Sequence, residues 1–204
     1  MKHVVPVLPG GYSAVPSGHI AAVVTFLEMR KRPELRPAQP FPPGLQLQPL
    51  SHPSVERYRS LFRRVGQDWL WYSRLIMPND ELRTILDDPR VSIYAVRQGE
   101  RDVGILELDF REPGACELAF FGLTAGNFGK GIGRTLMNEA IERAWSRQIE
   151  RFWVHTCTLD HPAALDLYRR SGFVPFMLQV EVQPDPRLTG AIPHDCAKHV
   201  PMLA

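Results

Sequence analysis

Alternation between apolar and polar positions predicts most of the strands of this chain. Residues 91–97 and 103–110 alternate on either side of the turn QGERD, which predicts an antiparallel hairpin. Residues 116–123 (CELAFFGL) predict the next strand, and the β-branched run at 21–29 (AAVVTFLEM) predicts an early one. Similar runs predict strands at 45–50, 151–158 and 176–182, and the pattern also allows a last strand at 198–203.

Apolar residues at helical spacing predict four helices. The first, in SVERYRSLFRRVG, has Gly66 as its C-terminal stop, and the second, in NDELRTILDD, has Asn79 as its cap. The third follows a glycine-rich stretch and continues through residue 146. The fourth lies in DHPAALDLYRRSGF, with Asp160 as its cap and Gly172 at its end. This order of elements predicts a mixed α/β (α+β) domain.

The composition is that of a soluble globular protein, with 44% hydrophobic and 23% charged residues. A net charge of +2 gives no support for a nucleic-acid partner. No apolar run approaches the length of a membrane span. The cysteines Cys116, Cys157 and Cys196 are far apart and odd in number, so no disulfide framework is expected and a cytoplasmic location fits best.

Prolines divide the chain into two predicted parts. Residues 33 to 53 contain seven prolines, which favours an extended surface connection over a proline-rich motif that binds another protein. Residues 1–44 are therefore interpreted as a leader with an extra strand and this proline-rich connection. Residues 45–204 are interpreted as the main domain.

Three glycines, at 129, 131 and 133, stand between a predicted strand and the third helix. Free backbone N–H groups at a helix N-terminus form an anion site, and phosphate is its usual occupant. Arg134 can add a charged contact. The stretch is not a P-loop, because Arg-Thr follows Gly133 where Lys-Thr or Lys-Ser is required, and it does not fit the dinucleotide fingerprint.

The stretches FGLTAGNFGKGIGRTLM and DHPAALDLYRRSGFVPF together resemble the two signatures of the GNAT superfamily of N-acetyltransferases. The glycines match the family's cofactor loop, although Phe128 stands where that loop begins with a polar residue. The second signature is matched by Ala164, Leu167, Tyr168, Gly172 and Phe173, with His161 in place of the usual asparagine. The resemblance covers roughly residues 45 to 183.

This resemblance implies a mostly antiparallel sheet whose fourth and fifth strands splay apart into a V. Acetyl-CoA is then the cofactor, as a co-substrate, with its pantetheine arm in the V and its pyrophosphate on the glycine loop. The cofactor-binding residues implied are Phe121, Gly122, Leu123, Gly129, Lys130, Gly131, Ile132, Gly133, Arg134 and His161.

Acyl transfer to an amine needs a base for the amine and a proton donor for the leaving thiolate. Tyr168 occupies the family's general-acid position. Glu117 is the first candidate for the base, because many family members carry a glutamate there. The alternatives for the base are Glu107, Asp109 and His155. An acyl-cysteine route through Cys157 is disfavoured, because no His/Asp constellation around it can be identified in the sequence.

The acceptor site implied by the resemblance includes the connection between the first two helices, here Trp69, Trp71, Tyr72 and Arg74. Aromatic rings with an arginine suit an apolar acceptor that carries a carboxylate, so a small amine with an acidic group is favoured over a polycation. The histidines show no metal-ligand spacing, and no metal is expected.

Together these features predict a cytoplasmic, acetyl-CoA-dependent N-acetyltransferase that acts on a small amine by direct transfer. The dimer state is left open, and the acyl donor could be longer than acetyl. Two alternatives of other classes remain at this point. One is a non-catalytic acyl-CoA-binding sensor of the same fold, and the other is an interaction protein that uses the proline-rich segment and the tail.

Overall fold

The computed structural model describes residues 7–203, which contain one seven-stranded sheet with the order β2-β3-β4-β5-β6-β1-β7. Neighbouring strands are antiparallel except for β5 and β6. The strands are β1 (His19–Met29), β2 (Leu45–Pro49), β3 (Val91–Gln98), β4 (Arg101–Asp109), β5 (Ala115–Leu123), β6 (Arg151–Cys157) and β7 (Val174–Pro184). The predicted mixed α/β fold is confirmed.

Helices cover both faces of the sheet. They are α1 (Val55–Gly66), α2 (Ser73–Ile76), α3 (Asn79–Leu86), α4 (Ile132–Trp145) and α5 (Ala164–Arg170). The apolar stripes of α1 and α3 pack against Ile105, and those of α4 and α5 pack against Leu106. Consecutive residues of a strand point to opposite faces, so both residues are completely buried. Strand β4 therefore forms the centre of a three-layered core.

The predicted V between two central strands is present. Strands β5 and β6 pair in parallel only where residues 115–117 lie beside 151–153. Beyond Glu117 and Trp153 the strands separate, and β5 also has an irregularity where it passes Glu107 and Leu108 of β4. The separation leaves the last six residues of β5 with one edge unpaired toward β6.

Strand β1 confirms the early strand predicted at 21–29 and begins two residues before it. It lies between β6 and β7, with Val24 opposite both Cys157 and Gln179. Residues on both sides of the predicted boundary at 44 and 45 therefore share one sheet. The division into a leader and a main domain stays a prediction, and residues 1–6 of that leader lie outside the described residues.

The proline-rich connection follows the surface of α4. The hydroxyl of Thr135 donates to the carbonyl of Gln39 at 2.7 Å, and the Asn138 amide donates to the carbonyl of Arg36 at 2.8 Å. Proline has no N–H, so proline-rich backbone leaves its carbonyls free to accept from side chains of a neighbouring element. These contacts support the interpretation of an extended surface connection.

The strand allowed by the sequence at 198–203 is wrong. The tail after β7 has no strand, and its apolar residues Ile192 and Ala197 instead pack against Leu70 and Leu159. The buried guanidinium of Arg187 pairs with Asp185 and donates to the carbonyl of Ala197 at 3.1 Å. The backbone acceptors of the tail are thus used by a side chain rather than by a neighbouring strand.

Two predicted helix caps are also wrong. Asn79 is the first residue inside α3, after Pro78. Asp160 lies before a turn that precedes α5, and its carboxylate accepts hydrogen bonds from Thr156, Cys157 and Trp71 instead. None of the helices within residues 7–203 has the length and apolarity needed to cross a membrane.

Candidate active site

A cleft of about 420 Å³ occupies the V between β5 and β6. Its walls come from β5, from β6 and the loop after it, from the connection between α1 and α2, and from the ends of α5 and β7. The predicted site residues that line this cleft are Trp69, Trp71, Tyr72, Arg74, Glu117, Phe121, Gly122, Leu123, His161 and Tyr168. Segments far apart in sequence are thus brought to one site by the fold.

The glycine loop lies next to the cleft, directly after Phe128, which lines it. Gly129 and Gly131 have φ of +74° and +77°, a conformation that favours glycine, and a Cβ at either position would meet nothing within 4 Å. Among residues 7–203, no acceptor is bonded to the backbone amides of residues 129–133. Free amides in open space at the start of α4 fit a pyrophosphate group.

The two charged residues of the loop are turned toward protein carbonyls. The ammonium of Lys130 donates to the carbonyl of Gly126 at 2.8 Å, and Arg134 donates to the carbonyl of Pro37 at 3.2 Å. Both side chains are exposed, so solvent surrounds them as well. The amides, more than these cations, therefore form the fixed part of the anion site.

The two departures from the family's signatures contact each other. The rings of Phe128 and His161 are 4.8 Å apart, and the ring of Trp69 lies 5.0 Å from His161 and 5.6 Å from His199 of the tail. Nδ1 of His161 accepts a hydrogen bond from the amide of Ala163 at 3.1 Å. An aromatic cluster thus connects the loop after β5 with the loop after β6, and Trp69 belongs to it.

Tyr168 projects from α5 into the core side of the cleft. It is 6% exposed, and its ring packs against Phe121 at 6.3 Å and Phe173 at 5.9 Å. Burial, and then the charge of Asp160, raise the pKa of the phenol above its usual value. The phenol therefore stays protonated at neutral pH, and no hydrogen bond to another described residue occupies its hydroxyl.

Glu117 and His155 face each other across the point where β5 and β6 separate. Nδ1 of His155 lies 3.5 Å from Oε1 of Glu117. This contact raises the pKa of His155 more than burial lowers it. Stacking of the imidazole with Phe26 at 5.6 Å holds its position. The pair combines a carboxylate with a base that titrates near neutral pH.

Arg74 is buried at the base of the cleft in an ion pair with Glu107. Its Nη2 donates to Oε1 of Glu107 at 2.8 Å, and the hydroxyl of Tyr58 donates to Oε2 at 2.5 Å. Burial raises the pKa of Glu107, while Arg74 and Tyr58 oppose this shift. Nε of Arg74 is buried without a partner among the described residues. The guanidinium is thus held by the protein, and its predicted contact with an acceptor carboxylate stays a prediction.

The other two alternatives for the base, Asp109 and Cys157's neighbour His155, differ in availability. Asp109 is held in a salt bridge by Arg111 at 2.5 Å and is only 7% exposed, whereas the His155 side chain is half exposed. Both line the cleft. Glu117 and His155 therefore remain the accessible proton acceptors.

Hydrogen bonds fix the wall formed by the α1–α2 connection. Nε1 of Trp71 donates to Asp160 at 3.0 Å, and the hydroxyl of Tyr72 donates to Gln183 of β7 at 2.8 Å. Gly122 allows this approach, because a Cβ there would lie 2.6 Å from Val65 and 3.3 Å from the Trp71 ring. The connection is thus tied to β6 and β7 on the far side of the V.

Cys157 lines the cleft as a neutral thiol. Burial raises its pKa to about 11, and none of the residues 7–203 accepts or donates a hydrogen bond at its sulfur. A thiolate nucleophile with a histidine partner is therefore not assembled. The described residues also contain no group of three or more His, Cys, Asp or Glu side chains arranged to hold a metal ion.

A model of the family described as "Acetyltransferase (GNAT) family" matches residues 55–173, from the start of α1 to the end of the α5 signature. The chain belongs to this family. The match covers more than half of the chain and includes the V, the glycine loop and Tyr168. No curated protein matches the sequence.

Solved structures of GNAT proteins are similar in fold at low sequence identity. A GCN5-related N-acetyltransferase from Sphaerobacter thermophilus superposes with a TM-score of 0.61 at 14% identity, over 81% of this chain and 53% of that chain. One from Kribbella flavida gives a TM-score of 0.52 at 18% identity, over 85% and 63% of the two chains. The GNAT chain described here thus spans about half to two thirds of the length of these two proteins.

A third structure, an aminoglycoside acetyltransferase from an uncultured soil metagenomic sample, gives a TM-score of 0.52 at 16% identity, over 63% of this chain and 88% of that chain. Identities this low establish the common fold alone. The residues of each wall therefore have to be judged from the chemistry of this GNAT protein itself.

Sequence reasoning missed several residues of the cleft. Glu181 and Gln183 line it from β7, and Asp160 lines it from the loop after β6. His199 reaches the aromatic cluster from the tail. Alternation in β7 could have put Glu181 and Gln183 on one face with each other, but only the insertion of β1 places that face beside the cleft.

Proposed function

We propose that this GNAT acetyltransferase transfers an acetyl group from acetyl-CoA directly to the nitrogen of a small amine. The observation that carries the proposal is that Tyr168 and Glu117 line the same cleft, in the V beside a loop of free amides. The alignment of these parts supports an enzyme over an interaction protein, because the latter has no need of an acid and a base in one cleft.

The fit of the cofactor rests on the chain's own backbone. The amides of residues 129–133 would hold the pyrophosphate, with Arg134 and Lys130 as mobile cations beside them. The unpaired edge of β5 at Phe121 and Leu123 would hold the amide groups of the pantetheine arm. When bound, acetyl-CoA supplies an acetyl group activated as a thioester.

Each proton of the transfer has a place in the cleft. Glu117, directly or through a water molecule, accepts the proton of the attacking ammonium, and the new C–N bond forms as the C–S bond breaks. Tyr168 donates its proton to the sulfur that leaves. The protonated form of Tyr168 is the one that its raised pKa maintains, so the donor is ready over the whole neutral range.

Turnover distinguishes this enzyme from a sensor of the same fold. Purified protein, acetyl-CoA and a panel of primary amines should release free thiol at a rate that depends on the amine. A sensor would bind CoA in calorimetry but release no thiol with any member of the panel, and that result would reject the proposal.

The first prediction tests the anion site. Gly131→Asp places a negative charge where the pyrophosphate is expected, and we expect the Kd of CoA in calorimetry to rise at least about 10-fold through charge repulsion. Gly131→Asn is the matched control, because both residues tolerate positive φ and are nearly equal in shape. We expect the Asn variant to bind much closer to wild type. Equal affinities for the two variants would place the pyrophosphate elsewhere.

The second prediction concerns the base. Glu117→Gln removes the contact that raises the pKa of His155, so the pKa of His155 measured by NMR should fall. We also expect kcat/KM to fall roughly 100-fold, a typical loss of general base catalysis. In the wild type the rate should rise with pH as His155 loses its proton, because neutral His155 no longer competes for the Glu117 carboxylate.

His155→Gln separates the two candidate bases. If Glu117 is the base and His155 only its partner, this variant should retain more activity than Glu117→Gln and should shift the rise of the pH–rate profile. The opposite ranking would identify His155 as the base.

A further inference from the structure

The charge of the cleft lining is negative beyond its two internal ion pairs. Arg74 is paired with Glu107, and Arg111 with Asp109, so neither arginine adds a net positive charge. Three more carboxylates line the cleft, from Glu117, Asp160 and Glu181. Among the described lining residues, His155 is the cationic group that faces them, and it is paired with Glu117.

The charge of Asp160 is fixed in place without being neutralised. Its carboxylate accepts from Trp71, Thr156 and the amide of Cys157, and none of these donors carries a charge. A carboxylate held by neutral donors keeps its full negative charge and its position. The cleft therefore has a permanent negative centre close to the aromatic wall.

Glu181 supplies a second negative centre on the far wall. It is an exposed residue of β7 that lines the cleft opposite Ala22. Burial, and then the charge of Glu181, raise the pKa of Tyr72, so the two side chains are close. Tyr72 in turn bonds to Gln183, which is two residues along the same strand.

The two walls are separated by the width of three strand positions. Glu117 is on β5 and Glu181 on β7, with β6 and β1 between them. At about 4.8 Å per strand, their backbones are about 14 Å apart, and the splay of β5 from β6 adds to this. After both side chains reach inward, the remaining span suits a chain of several atoms with a charge at each end.

We propose that the acceptor of this enzyme is a dication or polycation with two amines separated by several carbons. One amine lies at Glu117 and is acetylated, and the second ammonium is bound by Glu181 beside Tyr72 and Gln183. This inference rests on the proposed N-acetyltransferase activity and names its substrate class. It differs from the amine with an acidic group that the sequence favours, because Arg74 is engaged by Glu107 and the free charges of the cleft are carboxylates.

Three probes of equal chain length test the proposal. They are 1,4-diaminobutane, butylamine and 4-aminobutanoate, which end in an ammonium, a methyl and a carboxylate respectively. At constant pH and ionic strength, we expect kcat/KM to be at least about 10-fold higher for the diamine than for butylamine. The amino acid should be the poorest of the three. An amino acid that equals or exceeds the diamine would overturn the proposal.

Glu181→Gln and a matched control locate the second ammonium. Glu181→Gln should lower the ratio of diamine to butylamine kcat/KM about 5- to 10-fold. Glu100→Gln changes an equally exposed glutamate in the β3–β4 turn, away from the cleft, and should leave that ratio at its wild-type value. A ratio that is unaffected by Glu181→Gln would remove Glu181 from the site.

Binding measurements separate this inference from the proposed function. Calorimetry of the three probes with CoA-saturated protein needs no turnover. If no amine releases thiol but the diamine binds best and loses affinity in Glu181→Gln, the enzyme proposal fails and the cation site stands. If amines are acetylated but the diamine has no advantage in rate or binding, the cation site fails and the enzyme proposal stands.

Discussion

Tyr168→Phe should lower kcat by roughly 10- to 1000-fold while the Kd of CoA changes little, as expected when a general acid is lost. The phenol has no hydrogen-bond partner among residues 7–203, and its ring packs against Phe121 and Phe173. Phenylalanine keeps that packing, so the free energy of unfolding should change by less than about 1 kcal/mol. The measurement is kcat at saturating acetyl-CoA and acceptor, with single-turnover rates to isolate the chemical step.

Tyr94→Phe is the control for removing a phenol hydroxyl. Tyr94 is a partly buried residue of β3 that does not line the cleft, and its ring carries a contact with Arg143 at 4.5 Å. This variant should keep wild-type kcat. If Tyr168→Phe also keeps wild-type kcat in single turnovers, Tyr168 is a core residue and another group protonates the thiolate.

Much of the fold could be predicted because each element carries its own signal. The apolar stripe of α1, the hairpin of β3 and β4, and the β-branched run of β1 are all local patterns, and the structure has each of them. The position of β1 between β6 and β7 could not be predicted in this way. Pairing between strands more than a hundred residues apart depends on which edges remain open, and no local pattern records that.

The tail shows the same limit from the other side. Its apolar residues near 198–203 have the alternation of a strand, but Arg187 uses the backbone carbonyls of Ala197 and Val200 as acceptors. A strand pattern predicts only that apolar side chains will be buried. Here they are buried under a side-chain clamp, in contact with Leu70 and Leu159.

The candidate site could be predicted where a short motif sets backbone geometry, and less well where burial decides. Gly129 and Gly131 have the positive φ that a glycine loop requires. Arg74, in contrast, was assigned to an acceptor because it lies among aromatics in sequence. The partner that holds it, Glu107, is 33 residues away on β4, and only the packed core brings the two together.

Arg74→Ala should destabilise the protein by about 3–5 kcal/mol, because it leaves the completely buried Glu107 carboxylate without its cation. Arg74 also packs over the Phe120 ring at 5.3 Å, so the variant loses contact area as well. Urea unfolding at neutral pH measures the loss. Arg90→Ala, which breaks the exposed ion pair with Asp88, is the control and should cost less than about 1 kcal/mol.

The pH dependence of this loss identifies its cause. Without Arg74, burial should raise the pKa of Glu107 further above the model value of 4.5. A carboxyl whose pKa is raised in the folded state favours folding below its unfolded pKa and loses that advantage as pH rises through the folded pKa. The deficit of Arg74→Ala relative to wild type should therefore be largest near pH 7.5 and shrink as pH falls toward 4.5.

A double variant, Arg74→Met with Glu107→Gln, tests the same cause without a buried charge. It removes both charges and leaves Tyr58 an amide oxygen as acceptor, so it should recover most of the stability lost in Arg74→Ala. Activity measurements then decide between packing and binding. If Arg74→Ala unfolds like the wild type at every pH but raises the acceptor KM, Arg74 binds the acceptor directly and its pairing with Glu107 is not what holds it in the cleft.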